Sequence, residues 1–510
     1  MRPVGHPRAA FERARADGAP VNASRRLMPR LCLALCLALP GWPARAGTPG
    51  VDEPPLPQAP LPVELPALHE STLANGLTVI VVPRPGLPLV SWVLAVRTGP
   101  EADPAGRSGV AALTATLLTK GARREGRDVP APVLARQAEA LGGQLDSASG
   151  WQLTSLSMTV TTPRAPAALA LLADALRQPL LSDGELARAR AQAVDGLKLA
   201  LGSPGDVAAM ALRRQFWGPT PHGAVVTPAS LGRIGVADVR AFHRRWVRPD
   251  NAVLVAVGDV DPAEVADWAA RHLGGWRAAA APLPTVAAQP PRPQPEPLLL
   301  VDMPGTGQSA VMVAAPYLAA SRGERLPLRI GQLANAVIGG GYSSRLNQEV
   351  RIRRGLSYGA FSQAESQPAG GMLSAQAQTR HASAPEVLHV MYRELARLGE
   401  AAPSPDELAA RQANLAGSFA RRLQSTGSLA GLLLGQWIQH RPLAELEHYA
   451  ADLLAVTGGN VQAFARTQWP AAALRAVVVG DLGATGLAWP AEGTRRIRLE
   501  ALLRELSGAP

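Results

Sequence analysis

The chain has 510 residues, 47% apolar and 18% charged, which excludes a disordered protein and leaves enough apolar mass for more than one packed core. Its formal net charge is +11, but residues 1–46 hold eight arginines against Glu12 and Asp17, so the rest carries 43 basic and 38 acidic side chains. Mixed charge without a Lys/Arg run makes a poor polyanion binder, and no nucleic-acid partner is expected.

At the N-terminus, Arg25, Arg26 and Arg30 precede the apolar run Leu31–Leu39, and Ala44-Arg45-Ala46 comes after it. A positive region, a short apolar core and an A-x-A site predict a secretory signal over residues 1–46, with the exported chain starting at Gly47. A buried helix is the rival reading, and Pro40 and Pro43 argue against it. The run is too short to span a bilayer, so no transmembrane segment is expected in the mature chain, which is placed in the periplasm. Both cysteines, Cys32 and Cys36, fall inside the signal, so the mature chain is expected to lack disulfides, zinc-thiolate sites and cysteine catalysis.

Residues 47–66 form a proline-rich linker, and residues 281–297 form a second one. Between them, Thr72–Val82 holds an Asn-Gly turn before an apolar run and reads as a hairpin. Leu89–Thr98 and Gln152–Thr161 alternate like strands, whereas Ala131–Leu141, Ala165–Arg177 and Glu185–Leu201 have helical spacing. In Gly109–Gly121, Ser108 is a candidate N-cap, and Val110, Leu113, Thr114, Leu117 and Leu118 form one helical stripe.

The segment after the second linker repeats the first at an offset of 222 residues. Glu185-Leu186-Ala187 falls on Glu407-Leu408-Ala409, Val239, Ala241 and Phe242 on Val461, Ala463 and Phe464, and Val257-Gly258-Asp259 on Val479-Gly480-Asp481. The expected architecture is α+β: two homologous domains, 67–280 and 298–490, each a mostly antiparallel sheet packed with helices and related by internal duplication. A tail helix over 491–510 is expected to pack on its own domain through Leu499, Leu502, Leu503 and Leu506.

Several motifs carry less chemistry than they suggest. Gly339-Gly340-Gly341 lacks both the dinucleotide spacing and a P-loop lysine. Gly355-Leu356-Ser357-Tyr358-Gly359 matches a hydrolase nucleophile pentapeptide, but that motif needs a strand before the serine and a helix after it. Here Ser344–Arg354 reads as helix and the residues from Tyr358 read as strand, so a serine hydrolase is the third-ranked function. The nine histidines include no pair four residues apart, so no helix face offers a zinc-binding pair, and His222 and His243 are expected to be surface or packed residues.

A hairpin, a strand and then the helix Gly109–Gly121 resemble the insulinase/pitrilysin family of zinc metallopeptidases. Those carry H-x-x-E-H, with two zinc-binding histidines and a glutamate that activates water. Aligned through Gly109 and Lys120-Gly121, the three positions are Ala112, Ala115 and Thr116, so no metal ligand and no base remain there. The family's further ligand is a glutamate on a later helix resembling Glu185–Leu201, where the only acid beyond Glu185 at its start is Asp195. Gly339–Ser362 resembles the family's C-terminal signature of glycine loop, S-R-L helix and R-x6-Y, with Arg351 and Tyr358 at the arginine and tyrosine. The resemblance implies that Gly339, Gly340 and Gly341 bind substrate, that Arg351 holds the peptide, and that Tyr358 donates to the scissile carbonyl as it becomes an oxyanion. Both residue types suit this, since a phenol donates and a guanidinium stays charged at neutral pH.

The expectation is therefore a non-catalytic subunit of an exported zinc metallopeptidase that degrades or processes unfolded peptides. This chain would hold no cofactor, and zinc would come from a zinc-bearing insulinase-family partner in a heterodimer, an arrangement similar to the mitochondrial processing peptidase. The alternative is a structural or peptide-holding homologue without a catalytic role.

Overall fold

The computed structural model describes residues 64–320, 324–483, 489 and 492–507. The signal expected over residues 1–46, with both cysteines, lies outside the described residues.

The first half opens with the hairpin β1 (His69–Thr72) and β2 (Thr78–Pro83), turned at Asn75-Gly76, and continues with β3 (Leu89–Val96) and α1 (Val110–Leu118). A small hairpin, β4 (Gly121–Arg124) and β5 (Arg127–Pro130), leads into α2 (Ala131–Ala140), β6 (Asp146–Gly150), β7 (Leu153–Thr161) and α3 (Ala165–Arg177). Then come α4 (Asp183–Leu201), α5 (Pro204–Trp217), α6 (Val236–Trp246), β8 (Ala252–Gly258) and α7 (Pro262–Leu273). The second half repeats this with β9 (Leu298–Asp302), β10 (Ser309–Tyr317), α8 (Arg325–Ile338), β11 (Ser357–Gln367) and β12 (Gly370–Thr379). It ends with α9 (Ala384–Glu400), α10 (Pro405–Gln424), α11 (Thr426–Ile438), α12 (Gly458–Gln468), β13 (Arg475–Gly480), β14 (Thr494–Arg498) and α13 (Leu499–Leu506).

The duplication is structural. One six-stranded sheet runs β1-β2-β8-β3-β7-β6, and the other, read from its far edge, runs β14-β9-β13-β10-β12-β11. Five of six positions correspond, and in both sheets the two central strands β8 and β13 pair antiparallel on one side and parallel on the other. The helix caps repeat too. Ser182 accepts from the Glu185 amide and Ser404 from the Glu407 amide, while Ser203 and Ser425 cap the next helix in each half. Each pair stands 222 residues apart. A capping serine satisfies an orphan amide of the first turn and is worth about 1 kcal/mol.

The halves are not independent packing units. Along β8, Leu254 and Ala256 face the helices of their own half, whereas Val253, Val255 and Val257 join Ile80 and Val82 against Leu429, Leu433 and Leu434 on α11 of the other half. Reciprocally, α5 packs Val207, Ala211 and Leu212 onto Leu299, Val301, Met312 and Val477 of the second sheet. Burial on both faces explains why the two central strands read as unbroken apolar runs rather than alternating ones. At about 1.5–3 kcal/mol for each fully buried Val or Leu, this exchange is a large part of what joins the halves. The linker expected over 281–297 runs extended along α5, where Arg292 N donates to Trp217 O and Gln294 N to Gln215 O.

The expected tail helix requires a correction. Thr494–Arg498 is a strand, added parallel to β9 at the sheet edge, and the helix begins only at Leu499. The leucine stripe does pack on the second sheet, with Leu502 buried and Leu499 and Leu506 against the same cluster.

Candidate functional site

Helix α1 carries the three positions of the absent zinc motif. Its cap is not Ser108: Gly109, at φ 110°, is the N-cap residue, and the oxygens come from Asp103, which accepts from the Gly109 amide at 2.6 Å and the Ala111 amide at 2.8 Å. The expected stripe is buried throughout. On the other face, Ala112 lines a cavity of about 650 Å³ together with Leu197, Met210 and Arg213, and with Glu365 and Gln367 from β11 of the second half. Ala115 is buried, and the Thr116 hydroxyl donates to the Ala112 carbonyl at 3.0 Å. Glu185 is paired with Arg188, which holds its carboxyl below the usual range, and the exposed Asp195 pairs with Lys198 at 2.9 Å. Helix α4 presents Leu197 to the cavity instead. Among the described residues, no three His, Cys, Asp or Glu side chains come together as a metal site. A methyl, a second methyl and a hydroxyl spent on its own helix do not fit zinc, which takes nitrogen, sulfur or carboxylate oxygen. Metal analysis of the purified chain is expected to return far less than one zinc per chain, and a tightly held stoichiometric zinc would show a site these residues do not account for.

Arg351 and Tyr358 do come together. After a short helical turn, Arg345–Asn347, residues Gln348–Arg353 form a π-helix, a wide turn that recurs at functional sites. It turns Val350 and Glu349 inward and leaves Arg351 on the rim, its guanidinium carbon 4.7 Å from the Tyr358 ring centre and 4.9 Å from that of Tyr342. The cation is thus held between two aromatic faces. Tyr358 is 88% exposed, and Tyr342, Ile352 and Phe361 are exposed beside it. Tyr358 and Phe361 line a cavity of about 480 Å³ with Gly205, Gln308 and Gln378. This cavity is separate from the one at Ala112, although β11 borders both. Tyr342 was missed by the sequence reading, and its place directly after the glycine loop was the available signal.

The platform beneath is firmly tied. Arg345 makes a bidentate pair with Glu407, at 2.9 and 2.7 Å, which fixes the turn to α10. Buried Glu349 pairs with Arg353 and, at 3.5 Å, with Arg354. Gly339 is buried: its amide donates to Asn335 O, its carbonyl accepts from the Ser362 amide, and a side chain there would stand 2.4 Å from that nitrogen. Gly340 is exposed, and Gly341 opens to free space on its side-chain face. The loop is thus docked on β11 at Gly339, with Gly340 and Gly341 reaching the surface. Ser357 sits between helix and strand, in the order opposite to a nucleophile turn, and its hydroxyl donates to the Gln378 carbonyl at 2.6 Å.

Both His222 and His243 are packed. His222 is stacked between Trp151 and Trp217, with ring centres 4.0 and 4.2 Å away, and burial pushes it down to about 4. His243 bonds the Leu176 carbonyl through Nε2 at 2.7 Å. Near His222, Glu101 lines a cavity of about 260 Å³, its Oε2 has no hydrogen-bond partner, and burial pushes the carboxyl from 4.5 up to about 8. A raised carboxyl favours the folded state fully below about pH 4.5, and that contribution is lost as pH rises through about 8. Glu101→Gln is therefore expected to melt like the parent at pH 4, with the difference opening as pH rises from about 4.5 to 8, and to be at least ~1 kcal/mol more stable at pH 9. Identical pH dependence of the melting temperature in both proteins would show that Glu101 ionises normally.

Two family models match the chain. One, described as insulinase (peptidase family M16), matches residues 78–225, and the other, described as peptidase M16 inactive domain, matches residues 233–415. The chain belongs to the insulinase family and lacks its zinc motif. Among similar proteins, an uncharacterized zinc protease of Streptomyces coelicolor is 24% identical over 409 residues, covering 78% of this chain and 86% of the relative. One of Bacillus subtilis is 24% identical over 403 residues, covering 77% and 95%. The same fold is seen in a protease from Helicobacter pylori, with TM-score 0.76, 18% identity and coverage of 82% of this chain and 100% of that one. It recurs in a peptidase M16 inactive domain from Pseudomonas fluorescens, with TM-score 0.74, 24% identity and coverage of 83% and 99%.

Proposed function

We propose that this chain is the non-catalytic subunit of an exported zinc metallopeptidase acting on unfolded peptides. In this reading a zinc-bearing family member supplies the metal and the base, and this chain supplies Arg351 and Tyr358 to the shared site. The observation that carries it is the asymmetry between the two halves. The first half keeps the zinc helix in place with Ala112, Ala115 and Thr116, while the second keeps Arg351 between two exposed tyrosines. An 88% exposed Tyr358 beside exposed Tyr342, Ile352 and Phe361 contributes little to this chain's own packing and suits a surface that meets a peptide or a partner.

Chemically, Tyr358 would donate its O–H to the carbonyl oxygen as negative charge develops there, and Arg351 would hold the peptide by its carbonyls or carboxylates. The aromatic faces on either side of Arg351 reduce the rotamer freedom it must lose on binding. Zinc would supply activated water from the partner.

Mild purification of the tagged chain from the native cell envelope, with mass spectrometry of what accompanies it, tests this. A second insulinase-family chain carrying H-x-x-E-H, recovered in near-equal amount with peptidase activity and zinc, is the expected result. Recovery of the chain alone, or of activity without such a partner, would end the subunit reading.

A further inference from the structure

Duplication copies cavities as well as strands. The cavity at Ala112 has a twin of about 420 Å³ in the second half. Leu197, Ala209, Met210 and Arg213, which line the first on α4 and α5, reappear 222 residues later as Phe419, Gly431, Leu432 and Gly435, lining the second on α10 and α11. Strand β11 is the party wall: Glu365 and Gln367 border the first cavity and Ala364 and Ser366 the second, as alternate side chains of one strand must. When Leu113–Leu118 of α1 is laid on Leu333–Ile338 of α8, Gly109 and Ala112 fall on Arg329 and Gln332, and both of these line the twin. Where the first half lost its metal ligands, the second half has a cation.

That cation is buried and under-used. Arg329 is 7% exposed, its guanidinium lies 4.2 Å over the Tyr449 ring, and its one hydrogen bond to a side chain is to Gln332 Oε1 at 3.3 Å. Its Nε has no hydrogen-bond partner among the described residues. The two carboxylates whose fields reach it stand nearer to other cations: Glu445 pairs with Arg441, and Asp452 lies 3.1 Å from Arg325, although its Oδ2 has no hydrogen-bond partner among the described residues. Arg422, exposed at the cavity wall, adds a second positive charge with no paired acid among the described residues. Burying a guanidinium this way costs free energy unless an anion enters. Tyr449 also stacks on Phe419 at 4.3 Å. Phe419, Leu415 and Leu432 give the lining an apolar part, and Ser418 and Gln436 supply donors.

We propose that this cavity binds an organic carboxylate, with the anion seated on Arg329 and Arg422 and an apolar body laid against Phe419, Leu415 and Leu432. One buried surplus charge matches a monoanion, and the aromatic wall asks for more than a bare ion. For a protein that handles peptides, two sources share this chemistry: the carboxyl terminus of a chain and an acidic side chain within it. The site is built entirely from this chain, so it stands or falls on the isolated chain, whatever accompanies that chain from the cell.

The test is calorimetric titration of the purified chain with N-acetylphenylalanine, with its uncharged amide, with a C-terminally amidated peptide bearing one glutamate, and with inorganic phosphate. The free acid or the glutamyl peptide is expected to bind saturably, the preferred one identifying the source, and the amide at least ~10-fold more weakly. Arg329→Gln is expected to weaken the acid by about 10-fold or more, and the surface change Arg422→Ala by several-fold. Should Arg329→Gln fail to fold, the acid–amide comparison and Arg422→Ala decide the matter. Equal binding of acid and amide, phosphate binding as tightly as the acids, unaltered binding in the folded arginine variants, or no binding at millimolar concentration would each overturn the proposal.

Discussion

Replacing Tyr358 by Phe in a reconstituted complex with a zinc-bearing partner is expected to lower turnover about 100- to 1,000-fold, the usual effect of removing a single oxyanion donor. Assembly and peptide affinity should stay near those of the parent. The change deletes one hydroxyl from a side chain that is 88% exposed, so no packing depends on it, and the ring that flanks Arg351 at 4.7 Å is kept. A bond made only as charge develops on the carbonyl oxygen affects kcat, whereas one present in the bound substrate affects KM. Arg351→Ala should therefore differ, raising KM as well as lowering kcat, because a group that holds peptide serves both states. It also leaves Tyr342 and Tyr358 without the cation between them, so the comparison with Arg351→Lys separates lost charge from lost stacking. If Tyr358→Phe keeps turnover within about a factor of two, the hydroxyl is not a donor to the transition state. The alternative of a structural or peptide-holding homologue would then be the better description.

The largest expected effect on folding lies far from that rim. Gly258→Ala is expected to cost about 3 kcal/mol or more, at the upper end of single substitutions, because the added carbon would stand 2.1 Å from the Leu89 carbonyl oxygen and 2.7 Å from Val90 Cα. Those are backbone atoms of β3, which pairs with β8 along its whole length and cannot yield without breaking the sheet. Gly258 also stands at φ 151°, a conformation that side chains other than hydrogen resist. Its duplicate Gly480 meets the Ser309 side-chain oxygen at 2.2 Å, a group that can rotate at the cost of its 2.8 Å hydrogen bond to His381. Gly480→Ala should therefore be milder, about 1–2 kcal/mol. Denaturant midpoints measure both, and a Gly258→Ala protein as stable as the parent would mean that β3 and β8 part more easily than their pairing implies.

The same two glycines show how far the sequence could be read. Val-Gly-Asp recurred at a fixed spacing, and a recurring Gly at the end of an apolar run signals a close backbone approach without saying to what. The repeated serine caps were equally legible, since an oxygen three residues before the amide it accepts is a local feature. Asp103 was not. It caps α1 from outside the helix across six and eight residues, and Ser108, in the expected place by local rule, does not cap it. Strand β14 was hidden for a related reason: Thr494–Arg498 carries three arginines, and an edge strand needs only a thin apolar signal, here Ile497.

What the sequence determined by itself was therefore everything carried by periodicity, spacing and side-chain chemistry. That covers two copies of one α+β unit, the absence of ligands at Ala112, Ala115 and Thr116, and the R-x6-Y spacing that brings Arg351 to Tyr358. Only the tertiary structure decided which surfaces meet. An apolar stripe on α5 or α11 demands burial but does not specify the partner, and the fold sends each stripe to the other half's sheet. The same holds for Arg329, which in sequence is one more helix arginine. It becomes a buried, under-partnered cation because β11, α10, α11 and the stacked Phe419 and Tyr449 close around it, and desolvation by distant segments is a property of the assembled chain alone.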